Sequence, residues 1–337
     1  MHSMLEQLYA HEGLTFAQSH QLFNLVMQGE LDNTSLSALL VALKMKGESS
    51  QEIAGAASAM RENALAFDRP DYAFSDLVGT GGDGHNTINI SSAAAVVAAS
   101  CGIKVAKHGN RSVSSKSGSS DLFAGFGMKL DMSPKTARQC LDDANLCFLA
   151  APTYHLGMKY VMPIRTTLKT RTIFNVLGPL ANPANPTHGI YGVYTPELLD
   201  VYADTLLQMG HQNALVVHGS GLDEIALHGP SQARYVHGGK ITSIDFSPAD
   251  FGLAESPLSA IEGGEPSFNV AAIQKVFAGK GDSAHVNAIA MNAAALLWLH
   301  QPDKSFAAHT SIILDAIAKA MPLDTISKAA TLSQGVS

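Results

Sequence analysis

Apolar residues in the first part of the chain recur at helical intervals, as at Leu39, Leu40 and Leu43, a spacing that gathers them on one stripe of a helix. Thr15 stands three residues before Gln18, and Ser49 three before Glu52, the spacing of capping boxes that open helices. These signals predict a small all-helical domain over residues 1–67, joined by part of residues 160–186. The run Asp68-Arg69-Pro70-Asp71 sets a proline among charges and reads as a linker. A second domain over residues 72–337 follows from it.

Beyond the linker the pattern changes. Short apolar runs at Asp76-Leu77-Val78, Ile103-Lys104-Val105-Ala106, Cys147-Phe148-Leu149-Ala150, Ile190-Tyr191-Gly192-Val193 and Ala214-Leu215-Val216-Val217 alternate with longer helical patterns. That alternation predicts an α/β fold whose mostly parallel central sheet is flanked by helices. Ser133-Pro134 supplies an N-cap and a first-turn proline for a helix running to about Asn145. Residues 178–186, rich in Gly, Pro and Asn, read as a long ordered loop. The C-terminal third reads as helical, with Ala288 to His300 apolar enough for a buried helix.

Composition narrows the function classes. The chain has 337 residues, 46% apolar and 15% charged, with no apolar run long enough to span a bilayer. Its start carries Glu6 and Glu12 rather than a basic stretch before an apolar one, so no signal peptide is expected and a cytoplasmic location is. Three cysteines without a C-x-x-C pair argue against disulfides or a zinc ribbon. Fourteen histidines include no H-E-x-x-H cluster. Acids outnumber bases 29 to 22, and the net charge of -7 disfavours a nucleic-acid surface.

The chemistry sits at strand ends. Gly79-Thr80-Gly81-Gly82-Asp83-Gly84 follows a predicted strand, where ligands bind in an open parallel sheet. Gly79, Gly81 and Gly84 match the dinucleotide fingerprint, yet no Asp or Glu lies between Asp83 and Asp121 to hold ribose hydroxyls. That interval instead carries Lys104, Lys107, Arg111 and Lys116 among many Ser and Asn residues, a lining suited to phosphate or pyrophosphate. Ser91-Ser92 opens a helix whose first-turn N–H groups are expected to face the glycine loop as an anion site. Gly219 to Glu224 is a second glycine turn, ending in the adjacent carboxylates Asp223 and Glu224, which suit Mg²⁺. Arg165, in a basic stretch after His155, suits a substrate carboxylate.

With these residues in view, the chain resembles the anthranilate phosphoribosyltransferase family. The resemblance rests on Gly79 to Asp83, Asn89-Ile90-Ser91-Ser92, Lys107-His108-Gly109-Asn110-Arg111, Arg171-Thr172-Ile173-Phe174-Asn175 with Leu177-Gly178-Pro179-Leu180, and Leu222-Asp223-Glu224. It implies Mg²⁺-dependent transfer of phosphoribosyl from phosphoribosyl pyrophosphate to the amine of anthranilate, with no covalent nucleophile, and a homodimer formed through the helical part. It further implies that Gly79, Gly82, Asp83, Thr87, Asn89, Ile90, Ser91, Ser92, Lys107, His108, Gly109, Asn110, Arg111, Ser112, Val113, Ser114, Ser115 and Ser119 surround the donor. Gly79, His108, Asn110, His155 and Arg165 would meet anthranilate, with Arg165 on its carboxylate, and Ser91, Asp223 and Glu224 would hold the metal. A pyrimidine nucleoside phosphorylase and a non-catalytic nucleic-acid-binding relative are the alternatives.

Overall fold

The structure, a computed structural model, describes residues 2–111 and 116–335. Four helices come first: α1 (His2–Tyr9), α2 (Phe16–Gln28), α3 (Asn33–Lys46) and α4 (Ser50–Glu62). Both expected capping boxes form, Thr15 with Gln18 at α2 and Ser49 with Glu52 at α4. Glu52 is fully buried, yet it accepts from Leu14 N–H and Ser49 N–H and pairs with Lys46 at 2.8 Å. One carboxylate thus ties α4 to the end of α3 and to the entry of α2, and Leu22, Leu39, Leu40 and Leu43 of α2 and α3 lie in the same apolar cluster, each leucine contributing about 2 kcal/mol by burial.

Strands and helices then alternate: β1 (Ser75–Gly79), α5 (Ile90–Ser100), β2 (Val105–Gly109), α6 (Ser119–Gly125), α7 (Pro134–Ala144) and β3 (Leu146–Ala150). Ser133 caps α7 and the helix stops at Asn145, as the sequence led us to expect, and Asn145 closes it in the left-handed region. Three short helices follow, α8 (Ala151–Tyr154), α9 (Met158–Leu168) and α10 (Phe174–Leu177), before β4 (His188–Gly192), α11 (Leu198–Gln208) and β5 (Asn213–Gly219). The stretch at residues 178–186 expected as a loop opens with a turn of 3₁₀ helix, Gly178–Ala181.

One element departs from expectation. The C-terminal third is not wholly helical, because β6 (Ser231–His237) and β7 (Lys240–Phe246) form an antiparallel hairpin added to β5. Gly238 and Gly239, both at positive φ, supply the two-residue turn. After it come α12 (Pro266–Phe277), α13 (Ser283–His300), α14 (Phe306–Ala318) and α15 (Met321–Ser333).

The sheet runs β3-β2-β1-β4-β5-β6-β7, parallel from β3 to β5. Helices α5, α7, α13 and α15 cover one face, while α11 covers the other and carries α4 and the helical bundle on its back. Val161 and Ile164 of α9, with Phe174 and Leu177 of α10, share the apolar cluster of that bundle. The order reverses between β1 and β4, so the carboxyl ends of these strands open a crevice. The linker is pinned across this architecture, with Arg138 donating to Asp68 O at 2.9 Å and Arg69 to Asn185 O at 2.9 Å.

Candidate active site

Four neighbouring parallel strands end in glycine: β1 at Gly79, β2 at Gly109, β4 at Gly192 and β5 at Gly219. The reason is close passage of chain. A Cβ on Gly79 would lie 2.1 Å from Asp223 Oδ2, and one on Gly192 would lie 1.7 Å from the Asp223 carbonyl oxygen. The turn carrying Asp223 and Glu224 therefore lies directly on the ends of β1 and β4.

The loop after β1 closes on the same turn. Gly81 N–H donates to Asp223 Oδ2 at 2.6 Å, and Ser91 N–H, in the first turn of α5, donates to Glu224 Oε1 at 3.1 Å. Gly81, Gly82 and Gly84 have φ of +69°, +78° and +83°, a run of left-handed conformations that favours glycine. Thr80 N–H donates to Gly192 O at 2.9 Å, and Arg171 donates to Gly82 O while stacking 4.1 Å from the centroid of the Tyr194 ring.

Electrostatics show what this crevice lacks. Burial, then Glu224 and Asp83, push the Asp223 carboxyl well above the usual carboxylate range. Burial pushes Glu224 up to about 7, although Lys107 and Ser91 oppose the shift. Three acids thus share a confined space with too little positive charge, a setting that a divalent cation corrects. No group of three His, Cys, Asp or Glu side chains poised to hold a metal exists among the described residues; the oxygen donors that meet here are the Asp223 and Glu224 carboxylates and the Ser91 hydroxyl, which is hydrogen-bonded to Glu224. Such a sparse oxygen set fits Mg²⁺, which keeps waters and substrate phosphates in its shell.

A second group lies beside it. His108 and His155 meet edge to face, with ring centroids 5.1 Å apart. His108 Nδ1 donates to Gly178 O at 3.2 Å, whereas its Nε2 has no partner among the described residues; the His155 ring lies against the backbone carbonyls of Ala181 and Met60 without a well-aligned hydrogen bond to either. Burial pushes His108 well below its ordinary value and His155 down to about 4, so both rings are neutral near pH 7. Arg165 on α9 is half-buried, and its closest polar contact is a long 3.5 Å one to Asn175 Oδ1. Burial alone depresses its pKa, with no carboxylate offsetting it.

Several expectations change on contact with the structure. Lys107 does not line the crevice with its ammonium; the side chain is buried and donates to Leu77 O, where its charge faces the buried Asp76 first and Glu224 and Asp223 after it. Lys104 binds no anion, since it donates to Asp142 O at 2.8 Å and Asn145 Oδ1 at 3.0 Å at the end of α7. The first turn of α5 is not an open anion site, because the Ser91 amide already serves Glu224. Asn89 turns its amide to Ser117 and Asn269, Ile90 is buried in the core, Ser92 is buried, and Thr87 bridges to Glu262. Of these, Asn89, Ile90 and Ser92 have side chains already engaged or buried, whereas the Thr87 pairing is through the backbone and leaves its side chain free of it. Asn110 O accepts from Ser119 Oγ at 3.1 Å, while Asn110 and Arg111 are exposed at the mouth. Ser112, Val113, Ser114 and Ser115 lie outside the described residues.

Sequence reasoning missed Gly192, Tyr194 and the buried Asp76, which accepts from Asn182 at 2.8 Å and from the His108 amide at 3.3 Å. The glycine closing an apolar run at Ile190-Tyr191-Gly192 repeats the pattern at Gly79 and Gly219, and that repeat was the available signal.

Comparison with known proteins agrees with this geometry. The helical bundle domain of a glycosyl transferase family matches residues 2–64, and the a/b domain of that family matches residues 71–320. The anthranilate phosphoribosyltransferase of Psychromonas ingrahamii is 53% identical over 334 residues, covering 99% of this chain and 98% of the relative. That of Vibrio cholerae is 54% identical over 299 residues, 89% of this chain and 90% of the relative. Among solved structures, the Thermus thermophilus anthranilate phosphoribosyltransferase superposes with a TM-score of 0.93 at 34% identity, covering 98% and 99% of the two chains. The Saccharomyces cerevisiae enzyme in complex with PRPP and Mg gives 0.92 at 28% identity, covering 99% and 98%. The chain belongs to the anthranilate phosphoribosyltransferase family.

Proposed function

We propose that this chain transfers the phosphoribosyl group of phosphoribosyl pyrophosphate to the amine of anthranilate, releasing pyrophosphate, as an Mg²⁺-dependent pentosyltransferase of tryptophan biosynthesis. The observation that carries the reading is the meeting of the glycine loop and the acidic turn, Gly81 N–H with Asp223 at 2.6 Å and Ser91 N–H with Glu224 at 3.1 Å. One bound sugar diphosphate can touch both.

Cleavage at ribose C1′ leaves positive charge on the sugar and adds negative charge to the leaving group, so the task is electrostatic. Magnesium held by Asp223, Glu224 and Ser91 would offset the charge that gathers on pyrophosphate. The loop through Gly79, Gly82 and Asp83, with the β2 end from His108 to Asn110 and Ser119, would frame the donor. Arg165, a half-buried cation without an acidic partner, is suited to the anthranilate carboxylate by a bidentate fork. His108 and His155, both neutral and with His108 Nε2 left without a partner among the described residues, suit a neutral aromatic amine; no strong base is needed to deprotonate it. Fixing the amine toward C1′ supplies much of the remaining acceleration.

The large apolar side chains left exposed on the helical bundle, Tyr9 on α1, Val41 and Met45 on α3, and Tyr160 and Met162 on α9, support a homodimer formed through that part. No described helix is long and apolar enough to cross a membrane. Loss of anthranilate fluorescence on adding phosphoribosyl pyrophosphate and Mg²⁺ tests the activity. Steady fluorescence with both present, or phosphate-dependent release of a nucleobase instead, would overturn it.

A further inference from the structure

Three tethers hold the loop after β1, and each comes from a different place. Thr80 is tied to the end of β4, donating from N–H to Gly192 O at 2.9 Å and accepting at Oγ1 from Tyr194 N–H at 3.1 Å. Gly81 is tied to Asp223. Gly82 is tied by its carbonyl to the Arg171 guanidinium, which lies over the Tyr194 ring and would sit 3.2 Å from a Cβ on Gly82. Arg171 itself belongs to the segment between α9 and α10, where the neighbouring Thr170 hydroxyl accepts from Lys44 on α3.

We propose that Arg171 is a positioning residue for the phosphoribosyl donor: its grip on the Gly82 carbonyl sets the Gly82–Asp83 peptide, and Thr170 with Lys44 carries that grip to the helical bundle. The proposal rests on the activity argued above and deepens it. In a planar trans peptide the C=O and the following N–H point in opposite directions, so holding the Gly82 oxygen on the Arg171 side turns the Asp83 N–H to the other side. Gly82 lies between two further glycines at positive φ, Gly81 and Gly84, and glycine has little intrinsic preference between the orientations available there. An external donor has to choose one. Arg171 does so with a charged hydrogen bond and holds itself in place by stacking on Tyr194, which is joined to Thr80 of the same loop. The loop bears on the donor side of the crevice, through Gly81 and the metal-side carboxylate Asp223, rather than on Arg165 and the paired histidines.

Steady-state kinetics with each substrate varied in turn, beside thermal melts, test this on the full chain. Arg171→Ala is expected to raise the KM for phosphoribosyl pyrophosphate about tenfold or more, to change the KM for anthranilate less than about twofold, and to leave the melting temperature nearly unchanged. Arg171→Lys can still donate to the Gly82 carbonyl but cannot stack as a plane, so it should recover part of the loss. Donor saturation unchanged in Arg171→Ala, or both KM values moving together with a fallen melting temperature, overturns the role. Lys44→Ala should shift donor KM in the same direction by less, and no shift removes the link to the bundle. If the unaltered chain does not turn over these substrates, the activity reading fails separately. Calorimetry with magnesium pyrophosphate then decides the grip: binding about tenfold weaker in Arg171→Ala supports it, and equal binding overturns it.

Discussion

Substituting Gly192 by Ala removes no charge and no ligand, yet it should weaken magnesium binding. The new methyl would lie 1.7 Å from the Asp223 carbonyl oxygen, 2.5 Å from its carbonyl carbon and 3.2 Å from its Cα. These are backbone atoms, so no side-chain rotation relieves the clash, and reaching the 3.0 Å that real contacts need moves Asp223 by more than about 1 Å. That displacement breaks the 2.6 Å bond from Gly81 N–H to Asp223 Oδ2 and carries the carboxylate off its position. Overpacking of this kind costs about 1–3 kcal/mol of stability, which lowers the melting temperature but leaves folded protein to assay. A misplacement of about 1 Å at a reacting centre costs on the order of a hundredfold in rate. Initial rates measured against Mg²⁺ at saturating substrates should show a fall of that order and a midpoint moved to higher magnesium. A folded Gly192→Ala protein with the parent magnesium curve would refute the reasoning.

Asp223→Asn combined with Glu224→Gln should abolish turnover at ordinary magnesium while leaving the fold intact by circular dichroism; near-normal rates would remove both from the metal site. Arg165→Ala should raise the KM for anthranilate about tenfold to a hundredfold, the worth of a charge-assisted hydrogen bond, and unchanged anthranilate saturation would count against that role. Glu52→Ala should destabilise the bundle by about 3 kcal/mol, since it strands Lys46 and two amides; a chemical denaturation midpoint close to that of the parent would contradict this. The pH prediction follows from Glu224. Metal-free folded protein holds its proton up to about pH 7, whereas an unfolded glutamate releases it near 4.5, so lowering the pH from about 8 to about 6 should stabilise metal-free protein. Added Mg²⁺ competes with that proton, so the rise in melting temperature it causes should grow with pH across the same window, and a pH-independent rise would argue against the site.

Features decided by neighbours in sequence were legible in it. The capping boxes at Thr15 and Ser49, the N-cap at Ser133 and the end of that helix near Asn145 each depend on backbone groups within about one turn. The strand-end glycine turns at Gly79 and Gly219 were legible for the same reason, and their position on a parallel sheet carried the site with them. Cations were read less well. Lys104 and Lys107 look alike in sequence, but folding sets one on the end of α7 and buries the other under the acids. The charge of a lysine announces an anion without saying whether it is a ligand, a carboxylate or a helix end. The hairpin of β6 and β7 escaped because its outer face is polar and its apolar positions few, with only Ala233, Val236 and Phe246 of its apolar side chains buried. Gly238-Gly239 between two alternating runs was the signal to follow. The partners of the Asn89 side chain, Ser117 and Asn269, are distant in sequence and were not legible in it.

Crystals grown with phosphoribosyl pyrophosphate and Mg²⁺ test most directly whether the two strand-end turns serve one ligand. The account predicts a magnesium ion about 2.1 Å from carboxylate oxygens of Asp223 or Glu224, bridging to a diphosphate that accepts hydrogen bonds from the backbone between Gly79 and Asp83. A diphosphate bound away from the glycine loop, or a metal bound without either acid, would contradict it.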